Sequence, residues 1–131
     1  MTVAANKAAA RSYFEQVLNR GDVSVADAIF APDIRFHYPL GDLSGVDMVK
    51  GYVSSFLTAF PDAHFTVADL IGEDDRVAAR WSLVGSQTGE FGGNAPTGKN
   101  VNFPGSTVFG FVDGKINEVW ITFDPAQLAK E

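Results

Sequence analysis

One helical stretch constrains this chain more than any other feature. Val49, Tyr52, Val53, Phe56, Leu57 and Phe60 recur at steps of three and four residues, which lines one side of an α-helix with apolar groups. Pro61-Asp62 stops the run. From His64 onward the helical period gives way to short β-forming runs separated by turn residues. A helix with one greasy face followed by several strands must lay that face on a sheet, so the expected class is α+β.

The remaining segments fit that frame. Ala10, Tyr13, Phe14, Val17 and Leu18 mark the buried face of a first helix, ended by Asn19-Arg20-Gly21. Ser24 is placed to cap a short second helix with Val25, Ala28 and Ile29 on its apolar side, and Pro32-Asp33 is expected to break it. Ile34 to Tyr38 reads as a strand closed by Pro39. Ser44 is expected to start the long helix, with Asp47 completing a weak capping box. His64–Ile71, Val77–Val84, Val101–Val112 and Lys115–Phe123 read as a four-strand meander, and Asp113-Gly114 signals a tight hairpin. The glycine-rich stretch from Gly85 to Gly98 reads as a mobile hairpin loop, long enough to serve as a lid. The order is ααβαββββ, with no repeat or linker, so residues 1–131 are expected to form a single domain.

Composition narrows the function classes. The net charge is −6 with no basic run, which argues against nucleic acid and anionic membrane surfaces as partners. No stretch is apolar for long enough to suggest a membrane span. The N-terminus lacks the basic-then-apolar pattern of a secretion signal, and there is no cysteine; a cytoplasmic protein is the expectation. Eleven of the 131 residues are phenylalanine, beside 3 Tyr and 2 Trp. Rings in that number fill a core or line a cavity for an apolar ligand.

The punctuation resembles the SnoaL-like (polyketide-cyclase-like) branch of the nuclear-transport-factor-2-like superfamily. The matching stretches are Asn19-Arg20-Gly21-Asp22, Ala31-Pro32-Asp33-Ile34, His37-x-Pro39, Phe60-Pro61-Asp62 and Asp75-Arg76-Val77-x-x-Arg80-Trp81. Gly85-x-x-Thr88-Gly89-Glu90-Phe91, Pro96-Thr97-Gly98-Lys99 and Asp113-Gly114-Lys115-Ile116-x-Glu118-x-Trp120 follow in order. The resemblance implies a cone-shaped half-barrel, a curved antiparallel sheet roofed by three helices around a deep pocket. It implies cofactor-free acid–base chemistry on a small hydrophobic or polycyclic molecule, as a cyclase, isomerase, dehydratase or hydrolase. It also allows non-catalytic ligand binding, or an interaction domain that forms a homodimer through the convex sheet face.

Residues divide accordingly. Many SnoaL-like cyclases carry an acid directly after the last-strand tryptophan; here that position is Ile121, and its expected cross-strand neighbour is Thr107, which is no base. His37, matching the family's histidine at the end of the first strand, is then the leading proton carrier, or else a hydrogen-bonding anchor for the following loop. Alternation places Arg35 and His37 on one face and Phe36 on the other. Asp124 is the second candidate acid, although Asp124-Pro125-Ala126-Gln127 also reads as the start of a helix. Asp69 is a further acid in mid-strand. Tyr13, Phe14, Tyr52 and Phe56 from the helices, with Trp81, Phe91, Thr107 and Ile121 from the sheet side, are the candidate ligand-binding residues. Trp120 faces either the pocket or the convex side. No cofactor is implied. His37 and His64 are the only histidines and complete no metal-ligand set. Gly93 to Asn100 nearly matches a phosphate-binding loop but lacks its terminal Ser or Thr and leads into a strand.

Overall fold

Thr2 caps the first helix: its Oγ1 accepts the Ala5 N–H at 3.0 Å. In this computed structural model, which describes residues 2–91 and 95–129, α1 spans Val3–Ser12. The next turns do not continue it in the same form. Tyr13–Leu18 is wound as a π-helix, and the Asn19 N–H reaches back to the Phe14 carbonyl at 2.9 Å. The expected face survives this change, since Ala10, Tyr13, Phe14, Val17 and Leu18 are all buried. Gly21, at φ 71°, ends the run in the left-handed region.

Three local expectations are corrected. Helix α2 spans Ser24–Ile29, but Val23 holds the cap position and Ser24 bonds the Asp22 carboxylate instead; its buried residue is Ala26, while Ala28 is exposed. Strand β1 runs Phe30–His37, so Pro32-Asp33 lies inside a strand rather than breaking a helix. Its pairing slips between Phe30 and Arg35, and an irregular stretch tolerates a proline that lacks a donor. Ser44 belongs to a two-residue strand, β2 (Leu43–Ser44), paired with β1. That pairing displaces the capping box, and α3 (Val46–Ala59) begins after Gly45, whose N–H donates to the Ile34 carbonyl at 2.7 Å.

Strands β3 (His64–Glu73), β4 (Arg76–Ser86), β5 (Asn100–Val112) and β6 (Lys115–Thr122) form the expected antiparallel meander. The full order is β2-β1-β6-β5-β4-β3, with β1 parallel to β6. Asp113 and Gly114 both have positive φ, 52° and 80°, as a tight hairpin turn requires. The sheet is curved and unclosed. Alternation turns Val77, Ala79, Trp81 and Leu83 of β4, with Phe103, Thr107 and Phe109 of β5, toward the helices, where all are buried. A short α4 (Ala126–Ala129) follows.

Two polar clamps tie the layers together. Asn19 accepts the Phe65 N–H at 2.7 Å and donates to the Phe65 carbonyl at 2.8 Å, so a side chain does for this edge of β3 what another strand would. At the far end of α3 the Thr88 and Gly89 N–H groups both donate to the Ala59 carbonyl, at 2.9 and 3.1 Å, satisfying a helix end that has no intrahelical donor left. Gly89 is required there, because a Cβ would stand 2.9 Å from the Thr58 carbonyl oxygen. The stretch expected to be mobile is therefore pinned on its near side. Gln87, 4% exposed, braces it internally through the carbonyls of Gly89 and Ala95.

The outer face of the sheet carries charge. His37 Nε2 donates to Glu118 Oε2 at 2.7 Å and Nδ1 to Asp42 Oδ2 at 3.1 Å, joining the parallel neighbours β1 and β6 to the loop before β2. Its ring stacks on Trp120 at 5.8 Å, and the Arg76 guanidinium lies 5.3 Å from the Trp120 ring. Both ring nitrogens face carboxylates, and only the imidazolium donates from both. The hydrogen bond to Glu118, then that to Asp42, accordingly raises the His37 pKa above its ordinary value.

Two outcomes are expected. Asn19→Ala removes both bonds to Phe65 at a cost of about 2 kcal/mol, read as a lower urea midpoint with an unchanged slope; an unchanged midpoint would show that the clamp is idle. For His37, a raised folded-state pKa means that its contribution is fully present below the unfolded value of about 6.5 and is lost as pH rises through the folded value. Wild-type stability should therefore decline across that window, and His37→Gln should flatten the decline; a His37 NMR titration midpoint at or below the unfolded value would refute it.

Candidate functional site

The concave side of the sheet meets the helices in a cavity walled by rings. Tyr13, Phe14 and Leu18 enter it from the π-helical segment, and Tyr52 and Phe56 from α3. Phe65, Leu83, Phe103, Ile121 and Phe123 complete its wall from the sheet and the segment after it. The room for a water-sized sphere is about 40 Å³, within a recess of about 430 Å³ counting its open mouth. That is more than one water needs (about 10–15 Å³) and well below the roughly 150 Å³ of a cavity that takes benzene, so a ring-sized ligand must spread the aromatic side chains.

Few polar atoms reach this cavity. Trp81 Nε1 donates to Thr107 Oγ1 at 2.9 Å, an internally satisfied pair that leaves the indole no donor for a ligand. Thr107 lies directly opposite Ile121 on β6, as expected from the sequence. Trp81 can lie flat there because it faces Gly105 across the strand pair, where a Cβ would come within 2.3 Å of its ring.

The other polar groups are three tyrosine hydroxyls. The Tyr52 hydroxyl donates to that of Tyr38, which frees the Tyr38 proton to donate onward. Tyr13, Tyr38 and Tyr52 all line the cavity and lie within electrostatic reach of one another. Burial raises all three pKa values, that of Tyr38 to about 12. Burial disfavours the phenolate, so these groups remain neutral O–H donors at any biological pH. Among the described residues, no carboxylate or imidazole lines the cavity.

Seven of the candidate ligand-binding residues thus meet in one place: Tyr13, Phe14, Tyr52, Phe56, Trp81, Thr107 and Ile121. Phe91 does not join them; it packs behind the wall against Phe56 and Phe60 at 5.7 and 5.8 Å. His37 lies elsewhere too. Phe36 and Tyr38 point inward, so the intervening ring projects from the opposite face, where Glu118 and Asp42 hold it. Asp124 is outside the cavity and accepts the Ala126 N–H at 3.0 Å, starting α4. Asp69 pairs across the strands with Arg80, at 2.6 Å, and Trp120 faces outward beside His37. Leu18, Phe65, Leu83 and Phe103 also line the cavity and were not among the candidates, and neither were Tyr38 and Phe123. The last two could have been found by carrying the alternation one step further, from Phe36 to Tyr38 and from Ile121 to Phe123.

The same architecture recurs among solved structures. The chain is similar to AclR, a candidate hydroxylase from Streptomyces galilaeus, at 34% identity and a TM-score of 0.81 over 97% of this chain and 94% of that one. It is similar to IdmH, a candidate polyketide cyclase from Streptomyces antibioticus, at 26% identity and 0.79 over 94% of each. A candidate SnoaL-like polyketide cyclase from Jannaschia sp. CCS1 has the same fold at a TM-score of 0.86 and 23% identity, over 98% of this chain and 94% of that one. No curated protein matches the sequence. The family model for SnoaL-like polyketide cyclases matches residues 8–131, and with the cone, its ring-lined cavity and these relatives in view, the chain belongs to the SnoaL-like polyketide cyclase family.

Proposed function

We propose that the cavity takes a flat hydrophobic molecule bearing a carbonyl or phenolic oxygen, of the aromatic polyketide kind, and promotes its enolisation or ring closure without a cofactor. The observation that carries this reading is the tyrosine cluster: neutral hydroxyl donors gathered in a wall otherwise built mainly of rings and aliphatic side chains. The rings supply apolar contact, and Tyr38 and Tyr13 supply the hydrogen bonds that orient an oxygen. Such bonds strengthen as negative charge gathers on a carbonyl oxygen, which is how neutral donors lower the barrier to an enolate. The family and the similarity to a candidate hydroxylase and a candidate cyclase support a small organic substrate.

His37 and Asp124 have no part in this mechanism. With no basic side chain among the described residues of the cavity wall, the proton leaving carbon goes to water or to a second oxygen of the substrate. The substrate's own carbonyls must therefore make that C–H acidic. The same lack of a base favours a second reading, in which the cavity binds its ligand without turnover.

Paired ligands separate these readings. 2-Acetylnaphthalene should bind more tightly than 2-ethylnaphthalene, by roughly fivefold for one net hydrogen bond, and Tyr38→Phe should reduce the difference while leaving the hydrocarbon's affinity intact. Equal affinities in the wild type would remove the oxygen-binding role. For turnover, the chain should accelerate deuterium uptake at the central carbon of 1-(2-naphthyl)butane-1,3-dione in D₂O, and Tyr38→Phe should slow it. Binding without acceleration would establish the second reading.

A further inference from the structure

The side chains that line the cavity are unequally exposed. Tyr38, Tyr52, Ile121 and Phe123 are partly exposed, while the other described lining residues are buried. The exposed four stand together. Tyr38 packs on Tyr52 at 4.6 Å and on Phe123 at 5.5 Å, and alternation puts Ile121 on the same face as Phe123. They form the rim of the mouth. Farther in, Phe14 and Phe65 meet at 6.2 Å, and their ring contacts among the described residues do not include the rim. Phe56 and Trp81 span the interval. Phe56 lies 6.1 Å from Phe65 and 6.3 Å from Tyr52, and Trp81 lies 5.4 Å from Phe65 and 6.2 Å from Phe123. The two ends differ chemically. The bonded hydroxyls of Tyr52 and Tyr38 belong to the rim, and the Tyr13 hydroxyl lies within electrostatic reach of both. Phe14 and Phe65 bring no polar side-chain atom to the floor, and the Trp81 N–H is already taken by Thr107.

We propose that a ligand enters ring-first, leaves its oxygen at the tyrosine rim and carries any further substituent out into solvent. The substrate class is then an aromatic ring system extended on its carbonyl side by a polar or bulky group. This rests on the reading of the cavity as an oxygen-binding site and adds the direction in which the ligand lies. The reverse direction would bury the carbonyl against Phe14 and Phe65 without a donor, while the rim hydroxyls faced hydrocarbon. It would also force the extension into a close-packed floor, where added atoms displace neighbouring side chains. A group beyond the rim lies in solvent and displaces no packed side chain. Because a single ring separates rim from floor along either wall, a ligand longer than the ring system it buries must project from the mouth.

The test compares three esters by NMR titration of the full-length chain. Methyl 2-naphthoate is the parent; one relative replaces its methyl by a tri(ethylene glycol) chain, and the other carries that chain as an ether at ring position 6. The first relative should keep the parent's affinity. The second should bind at least roughly tenfold more weakly, because its chain meets the packed floor. In the parent complex, intermolecular NOEs should run from the proton at ring position 6 to Phe65 and from the ester methyl to Tyr38 and Phe123. Equal or reversed ranking of the two relatives, or NOEs in the opposite sense, would overturn the orientation. Binding of the parent with silence from both relatives would overturn the extended substrate class. Silence from the parent as well would strike the oxygen-binding reading itself, and this inference with it.

Discussion

The rings of Tyr13 and Phe14 hold the helical layer to the sheet. Tyr13 stands edge-on or tilted to Phe30, Phe36 and Phe109, at 5.6, 6.4 and 5.9 Å, which joins it to β1 and β5. Phe14 reaches Phe65 at 6.2 Å and Phe109 at 5.9 Å, adding β3. Two adjacent residues of a π-helical turn thus touch three strands, with geometries that aromatic quadrupoles favour. The same two residues line the cavity. Core and site share their material, so any change in how these rings pack alters the shape offered to a ligand.

That sharing explains the site's electrostatics. A cavity made from core residues has low polarity, and an ionised group there would need a partner or a large shift toward neutrality. The chain keeps its charges outside instead: His37 with Glu118 and Asp42, Asp69 with Arg80, and Arg76 over Trp120. Inside it places hydroxyls, whose burial costs less when they bond one another. Tyr52 to Tyr38 and Trp81 to Thr107 are such pairs. The Thr107–Ile121 position fits this division, because a carboxylate there would face apolar neighbours.

The fold was legible because its signals are periodic. The spacing of Val49, Tyr52, Val53 and Phe56 specifies which side of α3 is buried, and turn residues such as Asp113-Gly114 mark where the meander reverses. The cavity's helical wall followed from the same periodicity. What stayed hidden depended on tertiary partners. Nothing local says that Tyr13–Leu18 adopts π turns, or that Leu43-Ser44 pairs with β1 and takes Ser44 from its capping role. His37 illustrates the limit differently: alternation placed it opposite Phe36, but only the curvature of the sheet reveals which of those faces is the inside. Phe91 was legible as buried and not as lying behind the wall, because its place depends on two backbone bonds to the Ala59 carbonyl.

The polar end of the cavity also limits how selective it can be. A site rejects a ligand that lacks an oxygen to the extent that its own buried donors are then left unpaired. Here the Tyr52 hydroxyl remains bonded to Tyr38 whatever the ligand carries, and Thr107 retains its bond from Trp81. Only the outward hydrogen of Tyr38 and the hydroxyl of Tyr13 change partners. The penalty for a missing oxygen is therefore that of one or two neutral hydrogen bonds. Shape has to supply the rest, and it is set by rings that must separate before any ligand enters. Such a pocket distinguishes ligands by the flatness and width of their ring systems first, and by the position of one oxygen second.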